Sequence, residues 1–339
     1  MRNQAVTIKH IAHHCDVSIA TVSRVINDAS NVNPDIRKKV LDAIKELNYT
    51  PNRLASSLKS NSTHIIGLIV IDIANPAQMN IAREIENIVS QHGYILLIMS
   101  SDDDAEKERK NLTLLSEHMV DAIILTATGQ NDDLILSIKQ SGTPIVVIDR
   151  RPASSEISFI GVDKQTACYM AVKKLFELGY TRIALANGPK DIITNFDRYC
   201  GYTRAFYDNN TPLTNEYIFY GPFNEKYGRE VFQAIMRLQP LPEVIISGGE
   251  MITIGILEMA HNLGIKIPKD ISLLSFGNIT NPELVTPKLS YIDTFPNTIG
   301  IEVSNVILSK IAKKSINPIR VILKAEIVLG DSTLYLHKK

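Results

Sequence analysis

The sequence predicts two parts of different fold class: an N-terminal all-α helix-turn-helix head, and an α/β body of two doubly wound parallel-sheet lobes. Apolar residues recur at helical spacing in three short stretches within the first 49 residues. From Ile65 onward, short apolar runs alternate with longer amphipathic stretches. Residues 1–62 hold nine Lys and Arg against five Asp and Glu, whereas the whole chain of 339 residues is neutral. A basic head on an acidic body is typical of a polyanion-binding module, although a solvated charged face gives the same count.

The first predicted helix opens at Ile8, with Thr7 as its N-cap. Ile8, Ile11 and Cys15 recur at helical spacing and form its buried face. Asp16 follows in a connection of three or four residues, the length of the turn in a helix-turn-helix motif. Glycine usually provides the left-handed residue of such a turn, but aspartate adopts that conformation at modest cost.

The next two helices complete a small bundle. Ser18 is the predicted N-cap of the second helix, whose buried residues are Val22, Val25 and Ile26. The third helix begins at Asn33 and Pro34, a capping asparagine followed by proline at the first helical position. Its buried stripe consists of Ile36, Val40, Ile44 and Leu47.

The second helix is the predicted recognition helix, which places its N-terminal residues against base edges in the major groove. Arg24 can read guanine through O6 and N7, and Ile19 and Ala20 can make apolar contacts such as those to a thymine methyl. The hydroxyls suited to phosphate contacts are those of Ser18, Thr21 and Ser23. Exposed Ser, Thr and Arg occur on any three-helix bundle, so spacing alone leaves this function open.

The body contains apolar runs that predict strands separated by helices. These runs are Ile65–Ile71, Tyr94–Met99, Ala122–Leu125, Pro144–Ile148, Ser158–Val162, Arg182–Ala186, Tyr217–Tyr220, Val244–Ser247 and Ile271–Ser275. Nearly continuous apolar strands indicate parallel sheets that are covered on both faces. This number of strands favours two lobes, and ligands of such folds bind outside the carboxyl ends of the strands.

Three motifs resemble the lactose and purine repressor (LacI/GalR) family. They are Val6-Thr-Ile-Lys-His-Ile-Ala12, Val17-Ser-Ile-Ala-Thr-Val-Ser-Arg-Val-Ile-Asn27 and Asn48-Tyr-Thr-Pro-Asn-Arg-Leu-Ala-Ser-Ser-Leu58. Asp16 stands where the family usually has glycine. The resemblance implies a hinge helix in which Leu58 wedges between central base pairs in the minor groove, flanked by Ala55 and Lys59. The DNA-contacting residues that we expect are Thr7, Ser18, Ile19, Ala20, Thr21, Ser23, Arg24, Asn31, Asn52, Ala55, Leu58 and Lys59.

The resemblance extends into the body and implies a type I periplasmic-binding-protein fold. Segments such as Gly161-Val-Asp163, Glu177-Leu-Gly-Tyr-Thr-Arg-Ile183 and Pro268-Lys-Asp-Ile-Ser272 fall in register with it. We expect a helix-turn-helix head at 1–49, a hinge helix and linker at 50–62, and an effector-binding and dimerisation domain at 63–339. Lobe one is expected at about 63–161 plus 294–320, and lobe two at about 162–293 plus 321–339.

The cleft between the lobes is the expected effector site. Arg198 matches the family arginine that grips ligand, while Gly249-Glu250 and Gly277-Asn278 replace the usual Asn-Asp and Asp-Asp pairs. Ala77-Gln78, after Asn75-Pro76, replaces a usual aromatic pair. The effector-binding residues that we expect are Asn75, Asp149, Asp163, Arg198, Gly249 and Gly277.

These departures leave a cleft in which cations are expected to dominate. Arg198 remains, and Arg150, Arg151 and Lys164 lie nearby in sequence. Because arginine binds carboxylate or phosphate through two parallel hydrogen bonds, we expect a sugar acid or phosphorylated sugar as effector. The alternative for Arg150 and Arg151 is a solvated loop.

The sequence argues against an enzyme and against a transport component. It contains no GxxxxGK[ST], GxGxxG, HExxH or GxSxG motif, and its histidines have no metal-ligand spacing, so neither catalytic residues nor a cofactor or metal is expected. The three cysteines are far apart, and no signal peptide or membrane span is evident, which favours the cytoplasm.

By resemblance we expect a homodimeric repressor that binds a palindromic operator under the control of a small molecule.

Overall fold

The computed structural model describes residues 6–26, 31–49, 62–117, 120–313 and 317–333. The chain divides into two units, Met1–Thr63 and His64–Lys339. Within the described ranges, no helix is long and apolar enough to cross a membrane.

The head contains three short helices, as predicted: α1 (Ile8–His14), α2 (Ile19–Ile26) and α3 (Pro34–Glu46). They enclose a small core made by Ile11, Ala12, Cys15, Val22, Val25, Val40 and Ala43. Two of the three predicted caps make side-chain hydrogen bonds: Ser18 Oγ accepts one from the Thr21 amide at 3.0 Å, and Asn33 Oδ1 accepts one from the Asp35 amide at 2.8 Å. Such caps satisfy amide groups that have no partner inside the helix.

The turn between α1 and α2 depends on Asp16. Its φ is +51°, the left-handed conformation predicted for this position. The Val17 amide then donates to the Ala12 carbonyl at 3.0 Å, which closes the end of α1. Aspartate therefore fills the position that glycine usually takes in such turns.

The body alternates strands and helices. Its strands are β1 (Ile65–Val70), β2 (Ile95–Ser100), β3 (Ala122–Leu125), β4 (Ile145–Ile148), β5 (Ser158–Val162), β6 (Ile183–Asn187), β7 (Ile218–Tyr220), β8 (Val244–Ser247), β9 (Ser272–Phe276), β10 (Ser290–Asp293), β11 (Arg320–Leu323) and β12 (Glu326–Val328). Its α-helices are α4 (Pro76–Gln91), α5 (Ala105–Ser116), α6 (Asp132–Gln140), α7 (Lys164–Glu177), α8 (Ile193–Asp208), α9 (Glu225–Ile235), α10 (Glu250–Asn262) and α11 (Pro296–Ile311).

Two six-stranded sheets organise these elements into lobes. The first sheet has the order β11-β5-β4-β3-β1-β2, and the second has the order β12-β10-β9-β8-β6-β7. All pairings are parallel except that of β10 with β12. Both sheets are covered by helices on each face, as their apolar strands predict. In β1, for example, Ile66 and Leu68 pack into one core while Ile69 packs into the core on the other side.

The last three strands were not predicted from the sequence. They are short, and the burial of β11 and β12 alternates with exposure, so no continuous apolar run marks them. β11 pairs with β5 from Arg320 to Leu323, which extends the first sheet past the expected lobe boundary at about 320. The other predicted domain and lobe boundaries stay predictions.

Candidate functional site

The outward face of α2 carries the residues expected to read DNA. Ile19 is 43% exposed, and Ala20 and Arg24 are also exposed, whereas Val22 and Val25 are buried in the head. The geometry therefore presents Ile19, Ala20 and Arg24 together.

The hydroxyls around α2 have local roles as well. Ser18 Oγ lies 2.8 Å from Thr21 Oγ1, in addition to capping the helix. Thr7 is exposed at the start of α1, where its amide donates to His10 Nδ1 at 3.2 Å. Ser23 is half-buried and Asn31 is exposed. The remaining expected DNA-contacting residues, Asn52, Ala55, Leu58 and Lys59, lie outside the described residues.

The body has a cavity of about 470 Å³ between its two sheets, which we call the inner cavity. It lies at the carboxyl ends of strands of both sheets, where ligands of such folds bind. The structure brings together five of the six expected effector residues here: Asn75, Asp149, Arg198, Gly249 and Gly277. Its volume is in the range usual for small-molecule sites.

Asp163, the sixth expected residue, is not among the residues that line the inner cavity. It is exposed and caps α7, where its carboxylate accepts hydrogen bonds from the amide and the hydroxyl of Thr166 at 2.9 and 2.7 Å. An aspartate that follows a strand can either face a ligand or cap the next helix, and Asp163 caps the helix.

Arg198 is the distinctive polar group of the inner cavity. Its side chain is buried on α8 with 5% of the residue exposed. One nitrogen donates to Asn195 Oδ1 at 2.5 Å, but Nε has no hydrogen-bond partner among the described residues. The guanidinium lies 4.7 Å from the centroid of Phe276 and 5.7 Å from that of Phe223. Burial lowers the pKa of Arg198, and Asp149 partly offsets that effect. A buried donor without a partner is costly unless a ligand supplies the acceptor.

The other nearby cations are already neutralised, which corrects the expectation of a positive cleft. Arg150 donates two hydrogen bonds to Asp103 at 2.5 and 3.0 Å, and Lys164 pairs with Asp149. Arg151 is not a free loop cation either, because it pairs with Asp197, and it does not line the inner cavity. The inner cavity is instead richer in acidic than in basic residues. Its charged lining residues are Asp72, Asp102, Asp103, Asp149, Glu250, Arg150, Lys164 and Arg198.

The two glycines shape the wall formed by the second sheet. A Cβ added at Gly249 would lie 3.5 Å from the ring of Phe223, an ordinary contact, so a side chain fits there. Gly277 has a φ of +79°, and no atom lies within 4 Å of the position of a Cβ. The absence of side chains at these positions leaves room in the inner cavity, but only Gly277 is required by the backbone conformation.

Several lining residues escaped the sequence analysis. Asp102 and Asp103 directly follow β2, so the rule that sites form at strand ends could have identified them. Phe223 follows β7 in the same way. Gln78 was noted in the sequence only because it replaces a usual aromatic residue. Its side-chain oxygen accepts a hydrogen bond from the Ile71 amide at 2.8 Å. Its side-chain amide nitrogen is therefore the group that can donate to a ligand. In the part of the chain that the structure describes, no cluster of His, Cys, Asp or Glu could hold a metal ion.

Comparisons with known proteins match both parts of the chain. The family described as "Periplasmic binding proteins and sugar binding domain of LacI family" matches residues 63–328, and "Bacterial regulatory proteins, lacI family" matches residues 7–52. The HTH-type transcriptional regulator RegA of Clostridium saccharobutylicum is 30% identical over 97% of this chain and 100% of its own length. The HTH-type transcriptional repressor PurR of Actinobacillus pleuropneumoniae serotype 3 (strain JL03) is 30% identical over 98% of this chain and 99% of its own.

Solved structures share the fold. The lac repressor dimer bound to operator and the anti-inducer ONPF superposes with a TM-score of 0.85 at 21% identity, over 98% of this chain and 100% of that one. A complex of the transcriptional regulator CelR with cellobiose has a TM-score of 0.72 at 23% identity, over 97% of this chain and 100% of that one. The matches of head and body together show that the chain belongs to the LacI family of transcriptional regulators, which bind DNA, carry an effector-binding domain and are not enzymes.

Proposed function

We propose that this regulator is a repressor of carbohydrate-utilisation genes, with a carbohydrate as its effector. The observation that carries the proposal is the inner cavity itself, where buried Arg198, whose Nε has no partner among the described residues, shares the lining with five acidic residues. Sugar hydroxyls both donate and accept hydrogen bonds. They can therefore satisfy Arg198 on one side and aspartates such as Asp102 on the other.

The names of similar proteins are consistent with this class. A relative from Halalkalibacterium halodurans, 29% identical over 96% of this chain, is named a ribose operon repressor, and the CelR structure holds cellobiose. Other relatives are named HTH-type transcriptional repressor PurR. The abundance of carboxylates in the inner cavity favours a ligand with many hydroxyl donors over a purine base.

Within this class, a sugar acid is the form of anionic effector that the lining allows. One ligand carboxylate can pair with Arg198, the lining cation that makes no ion pair with a described residue. A phosphate dianion would also face Asp72 and Glu250, which make no ion pair with a described residue and whose charges repel it. We therefore propose a sugar or sugar acid rather than a phosphorylated sugar.

The proposed operator-binding form is a homodimer. The edge strand β2 exposes Ile95, Leu97 and Ile98, which are 51%, 36% and 39% exposed. An apolar edge strand is a surface that proteins normally cover, and a second copy of this chain would cover it. Two identical heads read a palindromic site, with Ile19, Ala20 and Arg24 at the base edges.

The control mechanism follows from linkage. An effector changes operator affinity only through its different affinity for two arrangements of the lobes. We propose that this difference reaches the DNA through residues 50–62, acting as the hinge between a head at 1–49 and a body at 63–339. The protein acts where the chromosome is, in the cytoplasm.

The test selects operators from random duplex DNA with the full-length protein. The enriched sequence should be palindromic, and its binding should weaken in Arg24→Ala by about 1–3 kcal/mol with relaxed preference at one base pair of each half-site. Sugars and sugar acids are then added to the complex, with fluorescence anisotropy of the DNA as the readout. Enrichment of no palindrome, or an operator affinity that no carbohydrate changes, would refute the respective half of the proposal.

A further inference from the structure

A second cavity of about 540 Å³ adjoins the inner cavity, and we call it the outer cavity. The two share Asp103, Arg150 and Pro189 in their linings. The Arg150–Asp103 ion pair therefore stands between them as a common wall. The outer cavity also lies at the carboxyl ends of strands, after β3, β4 and β6, so it belongs to the region where this fold binds ligands.

Asp132, which lines the outer cavity, has one carboxylate oxygen without a donor. Asp132 Oδ2 accepts a hydrogen bond from the Ala153 amide at 2.8 Å. Asp132 Oδ1 is buried and accepts no hydrogen bond from any described residue. A buried carboxylate oxygen needs a donor, and no cation or amide in the described part of the chain supplies one.

The charges of the outer cavity select against an anion. Arg150 and Arg151, its lining cations, are held by Asp103 and Asp197 through two hydrogen bonds each. Asp191 lines the same cavity and makes no ion pair with a described residue. The groups left for a ligand are therefore mainly acceptors, which suit a ligand rich in neutral hydroxyl donors.

We propose that the outer cavity is a second sugar subsite, so that the effector is a disaccharide or longer carbohydrate. One unit lies against Arg198 in the inner cavity, and the next passes the Arg150–Asp103 pair and donates a hydroxyl to the carboxylate of Asp132, which lines the outer cavity. This inference rests on the proposed carbohydrate effector. It adds that the effector has at least two sugar units and that Asp132 recognises the second one.

The experiment measures ligand binding to the full-length protein by isothermal titration calorimetry. The panel contains glucose, galactose, ribose and glucuronate as monosaccharides, with cellobiose, maltose, lactose and lactobionate as two-unit ligands. We expect one two-unit ligand to bind at least tenfold more tightly than either of its component units. Asp132→Ala should weaken that ligand about tenfold and leave monosaccharide binding unchanged.

A blocking variant provides a second test. Ala153 is exposed and lines the outer cavity, so Ala153→Phe should obstruct it and abolish the preference for two units. Ser155→Phe, at an exposed position of the same loop outside the lining, is the matched control and should retain the preference.

The outcomes separate the two proposals. A monosaccharide that binds as tightly as any two-unit ligand, or an equal effect of Asp132→Ala on both sizes, would overturn the second subsite and leave the carbohydrate effector intact. Binding of no carbohydrate at all would refute the carbohydrate effector, and the second subsite with it.

Discussion

Arg151 donates two hydrogen bonds to Asp197, at 2.6 and 2.9 Å, and so ties the loop after β4 to helix α8. β4 belongs to the first sheet, whereas α8 packs on the second and carries Arg198 as its next residue after Asp197. The two lobes are thus joined by an ion pair that adjoins the group expected to hold the effector.

Replacing Arg151 should weaken the folded body. In Arg151→Met the carboxylate of Asp197, whose side chain is 11% exposed, loses its partner, and we expect a loss of about 1–3 kcal/mol. The control is Lys226→Met, which removes an exposed pair with Glu230 and should cost under about 0.5 kcal/mol. Urea unfolding followed by circular dichroism measures both, since the chain has no tryptophan. Equal losses in the two variants would show that the Arg151–Asp197 pair contributes no special stability.

Arg198 should matter for the effector and not for the operator. Arg198→Met removes a charge-assisted donor, and we expect effector affinity to fall at least about tenfold, since such bonds contribute about 1.5–3 kcal/mol. Arg204→Met, on the exposed side of the same helix, is the control. Calorimetry measures effector binding, and anisotropy measures operator binding without effector, which should be unchanged. Equal effector affinity in the two variants would show that Arg198 does not contact the effector.

Asp16 and Asp42 should respond oppositely to the same substitution. Asp16 has a φ of +51°, so Asp16→Gly relieves strain and should stabilise the head by up to about 1 kcal/mol. Asp42 is exposed inside α3, so Asp42→Gly should destabilise it by about 0.5 kcal/mol. Hydrogen exchange of peptides from residues 6–49 of the full chain measures both. Faster exchange in Asp16→Gly would contradict the role of the left-handed turn.

Acid should weaken the body partly through Asp149. Burial opposes ionisation of this carboxyl, but Lys164, Arg198 and Arg150 outweigh it and hold the pKa of Asp149 below its ordinary value. The ionised group therefore contributes stability above the unfolded pKa, about 4, and that stability is lost as the pH falls through the lower folded pKa.

Asp149→Asn tests this sign. Unfolding in urea at pH 6, 5, 4 and 3 should show that the wild-type protein loses more stability toward low pH than the variant does. The comparison concerns the slope with pH, because the variant also leaves buried Lys164 without its partner and is less stable throughout. Equal slopes would mean that Asp149 does not contribute to the acid sensitivity.

Periodicity and local motifs were sufficient for the helices of the head and for the first nine strands of the body. These signals are local: Ser18 and Asn33 cap helices within three residues of themselves, and β1 is a continuous apolar run. β11 and β12 escaped because they are short edge strands with one exposed side, and their pairing partners are distant in sequence.

The sequence by itself determined the fold class, the helix-turn-helix motif and the presence of Arg198 in a cleft between two lobes. Only the tertiary structure decided how the charges are partnered. Arg150, Arg151 and Lys164 are near one another in sequence, yet each meets an aspartate that lies 15 to 47 residues away along the chain. Net electrostatic character depends on distances of a few ångströms between such residues, and a linear pattern contains no record of those distances.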